Sequence, residues 1–240
     1  MRYVLPLTLL IACAAGPAFA QSLSLDLGAG DSELAGRSVQ LLLLITVLSI
    51  VPGLAIMVTC FPFIVTVLSI LRQAIGLQQS PPNMLIVSLA MFLTWFVMDP
   101  VLTEAWQKGI EPLTKGALDL PQAFQATMQP FRVFMSARID LETFQAMQAL
   151  RDGAAGQPID APLSLLIPSF LLSEIQRAFE IGFLIFLPFL IIDMVVAAVL
   201  MSMGMMMVPP AIVSLPFKLA FFVVADGWAL ISGALVRSYF

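Results

Sequence analysis

Residues 181–228 read IGFLIFLPFLIIDMVVAAVLMSMGMMMVPPAIVSLPFKLAFFVVADGW, and this stretch decides the fold. Its first part, 181–200, carries a single charge, Asp193. About twenty residues at roughly 1.5 Å of rise per residue match a hydrocarbon core of roughly 30 Å. A second apolar run, 211–235, carries Lys218 and Asp226. Between the runs, Met201, Met203, Met205, Met206 and Met207 surround Gly204, and Pro209-Pro210 close the loop by forcing the preceding residues out of helical geometry. The pattern is two apolar helices joined by a methionine-rich turn. A connection at a membrane edge is normally polar because water solvates it. This one offers unbranched thioethers that adapt to a gap of any shape.

Working outward, residues 163–180 have helical spacing, with Leu171, Ile175 and Phe179 on one face and Ser173, Arg177 and Glu180 on another. Glu174 with Arg177, and Arg177 with Glu180, are spaced to meet across one turn. Exposed pairs of this kind contribute only about 0.3–0.5 kcal/mol. Helix stability is therefore a weak reason for them, and Glu174, Arg177 and Glu180 are expected to make a polar contact with a neighbouring subunit. Further upstream, residues 81–101, PPNMLIVSLAMFLTWFVMDPV, form another apolar run, in which the Thr94 hydroxyl is expected to bond back to its own helix. Residues 39–71 are apolar but contain Pro52-Gly53 and Pro62, so they make one long kinked helix or a broken one.

The stretch 181–228, with IPSFLLSEIQRAFEIGF ahead of it at 167–183, resembles the C-terminal half of the FliP family of flagellar export-gate proteins. Residues 81–101 resemble its second hydrophobic segment, with Thr94, Asp99 and Pro100 in place. Virulence type III secretion systems have a counterpart sharing the pattern. The resemblance implies that several copies, five in the family, assemble with FliQ and FliR into a pore for unfolded flagellar subunits. It also implies apolar helices that pack mainly on one another, in an assembly raised towards the periplasm. In such a ring Met205, Met206 and Met207 would converge as a deformable apolar gasket that holds back water and ions by dewetting.

Composition supports the membrane class: 60% of residues are hydrophobic and only 11% charged. A net charge of -4 offers no basic footprint for nucleic acid. The chain has no histidine, and no nucleophile–base pair, metal-ligand cluster or phosphate loop is visible, so no enzyme activity, metal or cofactor is expected. Residues 1–20 pair Arg2 with an apolar run and an Ala18-Phe19-Ala20 ending, as in a secretory signal peptide cleaved between Ala20 and Gln21; a lipoprotein signal at Leu10-Ile11-Ala12-Cys13 and an uncleaved anchor are the alternatives. Cleavage would leave Cys60 as the single cysteine, with no intrachain disulfide, and its apolar surroundings make it a packing residue.

Asp193, Lys218 and Asp226 need an explanation, since an unpaired charge at a helix centre costs at least about 2.5–3.5 kcal/mol on insertion scales. Structural pairing, for instance Asp193 with Lys218 across the hairpin, is the first reading. An ion or proton path in a small ion or solute transporter is the second. A transporter would be expected to show inverted repeats, and the apolar segments show no clear internal repeat. The signal peptide would place both termini and residues 102–168 outside, although the positive-inside rule does not support that orientation: Arg72 stands alone in the inner loops.

The expected fold is all-α and membrane-associated, with about four long apolar helices, kinked by Pro and Gly, in two hairpins around a small helical hydrophilic domain. The divisions are a signal peptide at 1–20, an exposed mature N-terminus at 21–38, a first apolar hairpin at 39–101 and a hydrophilic periplasmic domain at 102–168. An amphipathic helix with the second hairpin follows at 169–240. The expected function is a core subunit of the flagellar type III export gate in the bacterial inner membrane. The virulence counterpart and the ion or solute transporter are the alternatives.

Overall fold

A computed structural model describes residues 31–77, 80–150, 156–205 and 207–240, with the side chains of 31–38 excepted. The signal segment with Ala20 and Gln21, and Met206, lie outside the described residues. Those residues are helical, with no strand among them. Helix α1 spans Asp31–Met57, α2 Phe61–Ile75 and α3 Asn83–Ala105. A π-helical turn, Trp106–Ile110, carries α3 into the short α4, Glu111–Thr114. Then come α5 (Leu120–Arg138), α6 (Leu141–Ala149), a 3-10 turn at Pro158–Asp160, α7 (Leu163–Ser202), α8 (Pro210–Val224) and α9 (Gly227–Arg237). Residues 31–38, expected as a terminus without period, are already helical.

Among the described residues, three helical stretches are long and apolar enough to cross a membrane: Val39–Met57, Asn83–Thr114 and Leu163–Ser202. The pair α8 and α9 makes a fourth if its 61° bend lies within one span. The chain divides after Ser49. In the part before it, residues 39–49 of α1 are almost wholly exposed apolar surface.

In the part from residue 50 onwards, the apolar run expected over 39–71 is broken at residues 58–60. Pro62 lies in the first turn of α2, where its missing N–H costs nothing but where its ring prevents α1 from running on. At fifteen residues α2 is only about 22 Å long, too short to span. It serves as the central core helix: Phe63, Ile64, Val67, Leu68, Leu71, Ala74 and Ile75 are buried at helical spacing. Its most extensive packing is on α7. Small residues Ala178 and Gly182, four apart on α7, permit that approach, and a Cβ on Gly182 would fall 2.4 Å from Ile70 Cδ1.

One expectation about α7 is corrected. The amphipathic helix and the apolar helix after it are one continuous element of 40 residues, with Pro168 and Pro188 inside it. Such a helix is about 60 Å long, roughly twice the hydrocarbon thickness, and extends past any bilayer it crosses. Leu166, Ser169, Phe170, Ser173, Glu174 and Ala178 are turned inward, while Phe179 is 61% exposed.

The central hydrophilic segment packs onto α7. Met135, Ile139 and Phe144 close a second apolar cluster with Leu165, Leu166 and Phe170, to which Val58 also contributes. Arg132 Nη1 donates to the Ile159 carbonyl at 3.2 Å and to that of Ala161, tying α5 to the start of α7. The Asp140 carboxylate caps α6 by accepting from the Thr143 N–H and hydroxyl, both at 2.9 Å, which holds its pKa below the usual carboxylate value. Phe124, Leu141 and Leu150 of this segment are exposed.

The π-helical turn lies against α5 with no room to spare. A Cβ added to Gly109 would stand 1.9 Å from Thr127 Oγ1, 2.6 Å from the Thr127 nitrogen and 2.8 Å from the Ala123 carbonyl oxygen. Two of these are backbone atoms and cannot swing aside. Gly109→Ala is expected to cost about 1–3 kcal/mol through this overpacking, read as a lowered thermal midpoint of the purified chain.

Candidate functional site

The candidate site is the α7–α8 hairpin and the polar groups that anchor it. At its tip Gly204, at φ +77°, ends α7 in a Schellman turn: the Met205 N–H donates to the Leu200 carbonyl and the Gly204 N–H to that of Met201, both at 3.0 Å. Glycine enters this left-handed conformation without a Cβ penalty. The turn satisfies two terminal carbonyls of α7 and throws the methionines outward. Met205 is 38% exposed and Met207 97% exposed. Beside them an apolar groove of about 610 Å3 runs between α7 and α8, lined by Val195, Val199, Met203, Met205 and Phe217.

Lower in the hairpin, Lys218 Nζ lies 2.6 Å from Asp193 Oδ2. Ser214 Oγ donates to Asp193 Oδ1 at 2.5 Å, so both carboxylate oxygens have a donor. Lys218 is only 5% exposed, whereas Asp193 is half-buried. The ammonium also donates to the Ala74 carbonyl at 3.1 Å, in the last turn of α2. Carbonyls there have no intrahelical partner, and the negative end of the helix dipole favours a cation. One lysine thus ties three helices together. Phe189 packs against Phe221 and Phe222 in the same seam.

Asp226 is not inside a helix, as the apolar run over 211–235 implied. It forms the corner between α8 and α9, with a left-handed backbone at φ 47° and ψ 48°. Nothing brings it to Asp193 or Lys218.

The subunit-contact expectation fails for Glu174, whose side chain has no exposure and whose partners belong to its own chain. Arg138 Nε donates to Oε1 at 3.0 Å, the Tyr239 hydroxyl donates to Oε2, and Arg177 Nη1 stands 3.6 Å from Oε1. Arg138 stacks over the Tyr239 ring at 4.0 Å and donates to the Ser238 carbonyl at 2.7 Å. The carboxylate therefore fastens the end of α5 and the last residues of the chain to α7. Burial, then the adjoining Glu174 charge, pushes the Tyr239 pKa up, so the phenol keeps its proton and donates. Arg177 and Glu180 keep exposed surface; Glu180 accepts from Gln176 at 3.2 Å and not from Arg177.

Cys60 is a fully buried free thiol whose pKa burial pushes up to about 12, in keeping with packing and not reactivity. The Thr94 hydroxyl is buried but does not bond back to its helix, contrary to expectation. No group of three or more potential metal ligands occurs among the described residues.

Arg138, Tyr239 and the Ala74 carbonyl were not singled out from the sequence. Ser214 had a signal, since it lies four residues before Lys218 and so on the same helix face. Arg138 stands 36 residues from Glu174, with no local pattern linking them.

Comparison with known proteins decides the family. The model of the FliP family matches residues 44–235. The chain belongs to the FliP family. The flagellar biosynthetic protein FliP of Caulobacter vibrioides is 50% identical over 237 residues, covering 95% of this chain and 87% of that one. FliP of Bacillus subtilis is 45% identical over 87% of this chain and 95% of its own. FliP of Aquifex aeolicus is 41% identical over 97% and 98% respectively. The FliP match takes in the α7–α8 hairpin and the Glu174 network as far as residue 235, leaving Ser238 and Tyr239 beyond it.

Proposed function

We propose that this FliP-family protein is a core subunit of the flagellar type III export gate, in which copies of the chain surround a pore for unfolded flagellar subunits. As a FliP it serves flagellar biosynthesis, and its apolar helices make it a membrane protein. The finer reading is a homo-oligomer of five with FliQ and FliR, residues 102–168 on the periplasmic side, and a seal built from Met205, Met206 and Met207. The observation that carries the seal is the Schellman turn, which leaves Met207 97% exposed and Met205 38% exposed at the hairpin tip. A loop that merely packed a hairpin end would bury them. Thioethers gathered from several copies form a dry, deformable constriction. The closed Asp193–Lys218 pair favours a structural role over an ion path, because a relay needs groups free to exchange protons.

The test replaces Met205, Met206 and Met207 by Ala and follows subunit export and membrane ion leakage together. Export is expected to persist while leakage rises several-fold. Unchanged ion tightness would sink the seal, and normal export in cells lacking the gene would sink the gate.

A further inference from the structure

With Asp193 and Lys218 neutralising one another, Asp226 is the remaining charge on the apolar run 211–235. Its carboxylate caps no backbone N–H and joins no ion pair among the described residues. Asp226 is exposed and lines an open cavity of about 490 Å3 whose other walls include Ile75, Ser80, Leu219, Phe222 and Trp228. Phe222 and Trp228 meet edge to face at 5.4 Å, which fixes the corner and the cavity wall together. The left-handed backbone at Asp226 is a conformation that only Gly, Asn and Asp enter readily.

We propose that Asp226 and this cavity form a receptor for a basic side chain, Lys or Arg, carried on an apolar helix of a partner protein. The chemistry is complementary at each point. A carboxylate in an apolar segment requires a counter-charge or water. The aliphatic and aromatic walls suit the methylene stem of a long basic residue, and the indole of Trp228 favours a cation near its face. A lipid amine is a poorer fit, because its phosphate would be brought up against the same carboxylate.

The experiment uses the full-length chain in its own cells, with the complex recovered from solubilised membranes through a tag on this chain. Asp226→Asn isolates the charge, since Asn tolerates the left-handed backbone. Asp226→Glu keeps the charge, and Asp226→Arg reverses it. Complex recovery is expected to fall roughly tenfold or more for Asn and Arg, with unchanged amounts of the chain in the membrane, and to be largely kept by Glu. An acidic residue replacing a basic one in an apolar helix of a co-purified protein is expected to restore recovery with Asp226→Arg. A full complex with Asp226→Asn overturns the inference. So does rescue by a change within this chain, which would make the occupant a second copy, or rescue by altered membrane lipid. The inference rests on the assembly reading above. A wild-type chain recovered as a lone monomer would sink that reading, whereas a wild-type complex indifferent to Asp226→Asn sinks only this one.

Discussion

Lys218→Ala destabilises the hairpin by about 3–5 kcal/mol, the scale for removing one partner of a buried ion pair. The loss has three sources. Asp193 keeps a charge with one donor fewer, the Ala74 carbonyl loses its partner at the end of α2, and a gap opens where the lysine stem packed. Asp193→Asn should cost less, because Asn retains an acceptor for Ser214 and the Asp193 side chain is already 32% exposed. The double variant Asp193→Asn with Lys218→Met removes both charges, and its cost should fall well short of the sum of the two singles. The measurement is the thermal midpoint of each purified variant, with the yield of assembled complex alongside. Additive losses would mean that the pair has no energetic coupling. Normal assembly with lost transport in either single variant would revive the ion path.

The second large effect is at Glu174. Glu174→Ala leaves the Arg138 guanidinium without its carboxylate in a site where its side chain is only 14% exposed, and removes the acceptor of the Tyr239 hydroxyl. A loss of about 3–5 kcal/mol is expected. Tyr239→Phe removes one hydrogen bond to a charged group and should cost only about 1.5–3 kcal/mol. Both variants should free the end of the chain, read as faster proteolysis after Arg237, with Glu174→Ala the more sensitive. Equal sensitivity in all three proteins would show that the C-terminal residues are held by their aromatic contacts with Phe63 and Phe134 alone.

Much of the hairpin was legible because its signals are local. Apolar length implies a membrane-class helix, Gly204 followed by Pro209-Pro210 implies a turn, and charges inside apolar runs imply partners or water. The two proline signals upstream had opposite outcomes. Pro52 lies inside α1, whereas Pro62 starts α2. Pro52 removes one backbone hydrogen bond from the interior of α1, whereas Pro62 in the first turn of α2 removes none.

Over residues 163–180 the sequence left the inward face open. Helical spacing identified the faces but not which of them turns inward. In the structure α2 needs the small residues Ala178 and Gly182 to come close, and Glu174 is turned in with them. The exposed Phe179 is then surface for a neighbour or lipid. In a membrane-class protein apolar surface is not driven inward as it is in water, so steric fit and polar satisfaction decide orientation.

By itself, then, the sequence determined the all-α membrane class, the two apolar arms of the hairpin, the methionine turn between them and the family resemblance. These follow from composition and from patterns within a few turns of helix. Only the tertiary structure decided that α2 is a core helix and α7 one unbroken rod, that Lys218 reaches Ala74, that Glu174 holds Arg138 and Tyr239, and that Asp226 forms the corner between α8 and α9. Each of those depends on groups tens of residues apart meeting at hydrogen-bond distance, and no periodicity records which distant side chain will fill a given place.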